Sequence, residues 1–339
     1  MSDKPIIAID AMGGDFGPEV VVPAAIKILK NNKNVELVLV GNEQVINDQL
    51  LQLNSPKFKN LRIHHASEKV EMDDAPALAL RQKKDSSMRV AINLVEENKA
   101  DAAVSAGNTG ALMATAKFVL KTLKGIKRPA IISTLPSVNK HTHMLDLGAN
   151  VDCSAEHLMQ FAVMGSVLAQ TMDNIAEPKV GLLNVGSEAV KGNAQVKEAD
   201  AALSAVENLN YIGYVEGDDI FQSDVDVVVC DGFVGNVSLK TAEGVAKMIS
   251  HFMKEEFKRN WYNKLAAIVA LPVLKALKDR IDPRGYNGAS FLGLRGIVVK
   301  SHGGADVYSF SKAIETAIQQ VEENLTQRID SKLEQILER

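Results

Sequence analysis

Short apolar runs alternate with helical stretches along almost the whole chain. Strand-like runs fall at 6–10, 35–40, 61–65, 101–105, 130–134, 143–147, 180–184, 226–230 and 297–301. Several are apolar at consecutive positions, as in Val225-Asp226-Val227-Val228-Val229, which suits strands covered on both faces. Between them, apolar residues recur at helical spacing over 18–29, 87–97, 112–123, 154–172 and 235–252. A last helix is expected over about 307–338, its end charged in the manner of a solvated face. This β-α-β order predicts an α/β fold, a three-layer α/β/α sandwich with a mainly parallel sheet. The reading is of a single domain over 1–339 with no repeat and no linker.

The alternation fails at 251–284, where helix follows helix. Phe257, Trp261, Leu265, Ile268 and Val269 fall on one helical face, and 265–277 is apolar but for Lys275, with Pro272 interrupting it. The segment holds eight Lys and Arg against four Asp and Glu, a local +4 in a chain of net charge −4. It is expected to project as a helical element. Its basic residues Lys258, Arg259 and Lys264, with Trp261, suit an acidic protein partner or lipid headgroups; a dimer seam or a cap on the core fits equally.

Composition narrows the classes. With 46% hydrophobic residues the chain can build a large core. The slightly acidic balance offers no overall basic field for nucleic acid. Two cysteines, Cys153 and Cys230, exclude a disulfide framework and fit a reducing cytoplasm. No signal-peptide pattern opens the chain, and no uninterrupted apolar stretch reaches membrane-spanning length.

The candidate chemistry lies in six loops. Strand-like runs lead into AMGGDFGP (11–18), SAGNTG (105–110), LDLGAN (145–150), NVGSEAVKGN (184–193), CDGFVGN (230–236) and SHGGA (301–305). Ligands of open α/β sheets bind beyond the carboxyl ends of strands, where helix N-termini offer N–H groups to anions. The six loops are therefore expected to converge on one edge as a deep polar cleft, although any one of them is as well explained as a tight turn. The P-loop GxxxxGKS/T, GxGxxG, GxSxG and HExxH are all absent, and the seven histidines show no metal spacing, so neither metal nor organic cofactor is expected.

Within these loops Lys191 and Lys240 read as buried cations. Lys191, among Asn184, Ser187 and Asn193, suits an anion clamp. Ser105, Gly107, Asn108 and Thr109 precede a helix and suit phosphate or oxyanion contact, with simple capping as the alternative. Asn236 is read as opening a helix, either capping it or touching ligand. Asp10 and Asp15 flank the first Gly-Gly as ligand-orienting groups or turn formers. Asp146 is expected to orient Lys191, and Asp231 is taken as a second orienting carboxylate. His302 is either a proton donor to a leaving group or structural. Cys230 reads as a small buried hydrophobe rather than an acyl carrier. No nucleophile–base pair is evident, so the loops suit an anion that itself does the chemistry, and phosphate is such a nucleophile.

The stretches IAIDAMGGDFGP, SAGNTGALMA, MLDLGAN, LLNVGSEAVKGN, DVVVCDGFVGNV and FLGLRGIVVKSHGGAD together resemble the bacterial phosphate acyltransferases of phospholipid synthesis. The resemblance implies a fold like that of isopropylmalate dehydrogenases and phosphotransacetylases. It implies a homodimer that moves a fatty acyl group from acyl carrier protein to inorganic phosphate, its product feeding a membrane glycerol-3-phosphate acyltransferase. On that reading phosphate attacks the thioester carbonyl, loop amides hold the oxyanion, and Lys191 neutralises phosphate. The segment DPRGYNGASFLGL (282–294) departs from the pattern, which expects a more apolar loop there. The rival functions are a phosphotransacetylase-like enzyme using short acyl-CoA, a dehydrogenase on the same fold, and a noncatalytic membrane-associated scaffold.

Overall fold

A computed structural model describes residues 4–337 apart from Ala189 and Ser223. The first half of the chain runs β1 (Ile6–Asp10), α1 (Pro18–Asn31), β2 (Glu36–Gly41), α2 (Glu43–Gln52), β3 (Leu61–His65), α3 (Pro76–Gln82), α4 (Ser87–Glu96), β4 (Ala102–Ser105) and α5 (Thr109–Leu120). It continues through β5 (Ala130–Pro136), β6 (His141–Leu145), α6 (Ala155–Met172), β7 (Val180–Leu183), α7 (Ala194–Ser204), β8 (Tyr211–Val215), α8 (Asp219–Gln222) and β9 (Val227–Val229). The last elements are α9 (Gly232–Lys258), α10 (Trp261–Ile281), β10 (Ala289–Leu292), β11 (Ile297–Lys300), α11 (Val307–Glu322) and α12 (Leu325–Leu337).

The strands form one sheet in the order β3-β2-β1-β4-β11-β10-β5-β6-β9-β7-β8. Side chains leave a strand alternately to its two faces, and here both faces are covered. Ile7 and Ile9 of β1 pack with α1 and α11, whereas Ala8 between them packs with α4 and α5. Beyond β10 the third cluster puts Ile132, Leu145 and Val229 under α6, α7 and α12. Continuous apolar runs are thus explained by a layer of helices on each side.

The sheet has two directions. Pairing is parallel from β3 to β11, then antiparallel three times in succession, β11 to β10, β10 to β5 and β5 to β6, and parallel again to β8. An odd number of reversals leaves β6, β9 and β7 pointing opposite to β1, β4 and β11. The six loops therefore do not converge on one edge. Those after β1, β4 and β11 leave one end of the sheet, and those after β6, β9 and β7 leave the other.

Smaller differences have local causes. β8 is an edge strand of mixed exposure, and Gly213 interrupts its apolar run Tyr-Ile-Gly-Tyr-Val. β10 lies inside the segment 282–294, and a four-residue strand between glycines is too short to show periodicity. Helix α5 stops at Leu120 because Lys121 turns left-handed, φ 62°. The expected single last helix is two, broken where Asn324 adopts φ 52°. At 251–284 the helical element is confirmed, but α9 enters it without a break from Gly232 and α10 continues through Pro272.

Candidate functional site

The first loop set is held together by backbone approach. Asp15 N donates to Gly303 O at 3.0 Å and Ser301 N to Ser105 O at 2.9 Å, tying the loops after β1, β4 and β11. The glycines make this closeness possible: a Cβ on Gly13 would lie 2.4 Å from Asp10 Oδ2 and 2.9 Å from Gly107 N. Asp10 is fully buried at the end of β1. It accepts from Ser105 Oγ at 2.6 Å and Met12 N at 3.2 Å, and Ser105 Oγ in turn accepts from Gly107 N at 3.0 Å. Burial pushes the Asp10 carboxyl above its usual range, and the hydrogen bonds from Ser105, Ser87 and the loop amides oppose that rise.

Asn108 is the N-cap of α5, accepting from Ala111 N at 2.9 Å, while its Nδ2 donates to the carbonyls of Met72 and Asp74 at 2.7 and 3.1 Å. The capping alternative thus accounts for the Asn108 side chain, and the first-turn amides of Thr109 and Gly110 keep no intrahelical acceptor. Exposed His302 holds its loop, with Nδ1 accepting from Gly304 N at 3.1 Å and its own N–H donating to Asn287 Oδ1 at 3.0 Å. Partial desolvation lowers its pKa, as do the lysines Lys240, Lys300 and Lys247, against the pull of Glu243. Neutral His302 therefore carries its proton on Nε2.

The cation of this set is one the loop reading misses. Lys300 ends β11, and only 8% of its surface is exposed. Its Nζ donates to Ala106 O at 3.3 Å and to Ser301 O. Burial brings its pKa down to about 8, opposed by the charges of Asp10 and Asp15. The signal was present as a single Lys closing the apolar run Ile297-Val298-Val299 before SHGGA, but the pattern at that position reads simply as strand.

The second loop set is of a different kind. Asp146 is buried and takes four hydrogen bonds, from Ile131 N (2.9 Å), Ala149 N (3.2 Å), Asn150 N (2.7 Å) and Asn150 Nδ2 (2.9 Å). These bonds make it the knot of the LDLGAN turn and leave it no part in orienting Lys191, as had been expected. Lys191 is not buried: 46% of its side chain is exposed, and it pairs with Glu188 at 2.7 Å. Lys240 is likewise exposed at 55% and paired with Glu243 at 2.9 Å. Sequence alone places a Lys in a glycine loop but not its depth, and Val185, Val190 and Lys191 of this loop face solvent.

Asn193 caps α7, accepting from Val196 N at 2.9 Å, and Asn184 Nδ2 donates to Gly186 O at 2.9 Å. Exposed Ser187 donates its backbone N–H to Glu216 Oε1 at 3.2 Å. Asp231, not Asn236, caps α9, accepting from Val234 N at 2.9 Å. Asn236 stands one turn further on, against Gly148, where a Cβ would sit 3.4 Å from its own. Cys230 is buried with its thiol pKa held well above normal, chiefly by burial, which suits packing and not nucleophilic exchange.

Helix α9 links the two sets. It starts beside Asp146, since a Cβ on Gly235 would fall 1.9 Å from Asp146 O, and its Lys240, Glu243 and Lys247 act on His302. Beyond that point α9 and α10 project as a hairpin. Among the described side chains of α10 none is buried, and Trp261, Val269 and Val273 are 59%, 82% and 71% exposed. Trp261 stacks on Tyr262 at 3.6 Å, Arg259 pairs with Glu256 at 3.3 Å, and Lys258 and Lys264 flank this tip in solvent.

Three strand-end loops gathered about a buried lysine sit on an α/β/α sandwich with a mixed, mainly parallel sheet. Solved structures share the fold: a phosphotransacetylase from Streptococcus pyogenes (TM-score 0.66, 18% identity, 94% of each chain) and the EutD phosphotransacetylase from Staphylococcus aureus (TM-score 0.64, 17% identity, 94% of this chain and 95% of that one). The chain belongs to the family described as fatty acid synthesis protein, whose profile matches residues 6–328. It is 58% identical over 337 residues to the phosphate acyltransferase of Alkalilimnicola ehrlichii, covering 99% of this chain and 98% of that one. With the phosphate acyltransferase of Methylococcus capsulatus it shares 61% over 327 residues, 96% of each.

Proposed function

We propose that this protein is a phosphate acyltransferase that transfers a fatty acyl group from acyl carrier protein to inorganic phosphate. The near-full-length likeness to proteins of that name carries the reaction. Lys300 carries the location: it is a nine-tenths-buried cation whose hydrogen bonds go to carbonyls, set among the amides of three loops.

On this reading phosphate sits between Lys300 and the first-turn amides of α5, with Ser105 and Asp10 shaping the floor. A phosphate oxygen attacks the thioester carbon, the C–S bond breaks, and the departing thiolate takes its proton from water while His302 Nε2–H donates a hydrogen bond to the sulfur. Each amide aimed at the oxyanion contributes about 3 kcal/mol to the transition state. The acyl carrier approaches from the second set. A surface pair such as Lys191–Glu188 is worth at most about 1 kcal/mol, so Lys191 can exchange Glu188 for an anionic partner at little cost. Asn184, Ser187, Asn193 and Asn236 surround that approach. From Gly232 to Lys247 α9 rises about 22 Å at 1.5 Å per residue, a track for the pantetheine arm and its acyl chain between the two sets. The exposed hairpin suits a second copy of the chain, the acidic carrier, or a lipid surface near a membrane acyltransferase. Among the described residues no helix is long and apolar enough to cross a membrane.

The test is phosphate-dependent loss of acyl-carrier thioester. Lys300→Met should raise the KM for phosphate, and Lys191→Ala the KM for the acyl carrier. If Lys191→Ala raises the phosphate KM instead, the clamp lies in the second set. Thioester loss without phosphate would make the protein a hydrolase.

A further inference from the structure

Away from both loop sets, three side chains of metal-ligating type meet. His141 and His143 are two residues apart on β6, so they share a face of the strand. Asp173, the residue that closes α6, stands against them. Its Oδ2 lies 2.6 Å from His143 Nε2 and 3.0 Å from His141 Nε2. One ligand atom from each residue fits within a span of 4.8 Å. The side chains of His143 and Asp173 are 6% and 17% exposed, and that of His141 is 31% exposed. The cluster faces a cavity of about 160 Å³ lined also by Ser133, Thr134, Tyr286, Gln319 and Gln320, roomy and polar enough for water.

We propose that His141, His143 and Asp173 bind a divalent transition metal of the zinc type, with a fourth position open to that cavity. Two imidazole nitrogens and one carboxylate oxygen are a donor set for such ions. Bonds of about 2.0–2.2 Å in tetrahedral geometry put ligand atoms about 3.4 Å apart, so the two His–Asp separations need widen by less than about 1 Å. The surrounding shell suits ligation. Thr134 Oγ1 lies 3.0 Å from His143 Nδ1, where it can accept the ring proton once Nε2 holds a metal. The neighbouring cation does not compete, because Lys140 Nζ is engaged by Asp226 at 2.5 Å and Asp224 at 3.0 Å. A bound ion would be held by two imidazole nitrogens and one carboxylate, whose single negative charge it partly neutralises. The sequence reading found no metal spacing among the histidines, because the carboxylate that completes this group lies 30 residues from His143 and only the fold brings it there. β6 runs opposite to β11, so the cluster lies at the first loop set's end of the sheet, three strands over, about 14 Å at the usual strand spacing.

The test uses full-length protein stripped with chelator and then titrated with Zn²⁺ calorimetrically and with Co²⁺ by visible absorption. Expected are one equivalent bound, a tetrahedral Co²⁺ spectrum and a raised Tm. His141→Ala, the most exposed ligand and the least costly to remove, should weaken binding by at least about tenfold, and Thr134→Val by about tenfold through the outer hydrogen bond. His251→Ala, on the exposed face of α9, should change nothing. Failure to bind an equivalent, or binding that His141→Ala leaves intact, overturns the proposal and leaves a hydrogen-bonded His–Asp–His clasp between β6 and α6.

Discussion

Replacing Lys300 with Met tests whether the buried charge serves a ligand or the fold. Held from its ordinary 10.5 down to about 8, the lysine costs the ligand-free protein about 3 kcal/mol at neutral pH, at 1.36 kcal/mol per pK unit. Met fills similar space without that cost but frees the carbonyls of Ala106 and Ser301, a loss of about 1–3 kcal/mol. The net change should stay within about 2 kcal/mol of zero, a Tm shift of no more than about 3 °C for a chain this long. Phosphate binding should suffer far more. A charged hydrogen bond contributes about 1.5–3 kcal/mol, so the KM for phosphate should rise about 10- to 150-fold with little change in the KM for the acyl carrier.

The pH dependence follows with a definite sign. The folded pKa lies below the unfolded one, so the unfolded chain binds more protons between about pH 8 and 10.5. Lys300 therefore makes the protein gain stability as pH rises through that window, and Lys300→Met abolishes the gain. Above pH 8 the clamp loses its charge, so the ratio of mutant to wild-type phosphate KM should fall towards one. Steady-state kinetics and thermal melts across pH 6–10 measure both. A phosphate KM within threefold of wild type refutes the anion clamp. A Tm loss beyond about 5 °C refutes it differently, making Lys300 the buried counter-ion of Asp10, whose removal would strand a charge.

Other substitutions probe the neighbouring elements. Gly13→Ala drives a methyl into Asp10 Oδ2, so it should cost about 1–3 kcal/mol in denaturant melts and at least tenfold in turnover. Asp146→Asn puts an NH2 donor where one carboxylate oxygen accepts, facing either the amides of Ile131 and Ala149 or the two nitrogens of Asn150, so each orphaned N–H should cost about 1–3 kcal/mol, read as a lowered Tm without a selective change in phosphate KM. Val269→Lys alters a position 82% exposed and should leave stability within about 0.5 kcal/mol while weakening self-association in sedimentation equilibrium; an unchanged association state would remove this part of α10 from the dimer seam.

The sequence by itself determined the layers. Runs such as 6–10, 35–40 and 226–230 are apolar on both faces because helices cover both sides of the sheet, and that requirement is written residue by residue. Capping by Asn108 was legible as an alternative, since a cap bonds within its own helix, whereas Asn193, read as part of the anion loop, proves to cap α7. The projecting segment showed as apolar helix without a matching strand. What the tertiary structure decided was everything that depends on direction and depth. Strand polarity is absent from a hydrophobic pattern, which reads the same in either sense, so only the three antiparallel steps around β10 and β5 could divide six similar loops into two sets. Depth is equally nonlocal. Lys191 in its glycine loop looked enclosed and lies at the surface, while Lys300 at a strand end looked ordinary and is buried, because a side chain's solvation is set by elements distant in sequence packing around it.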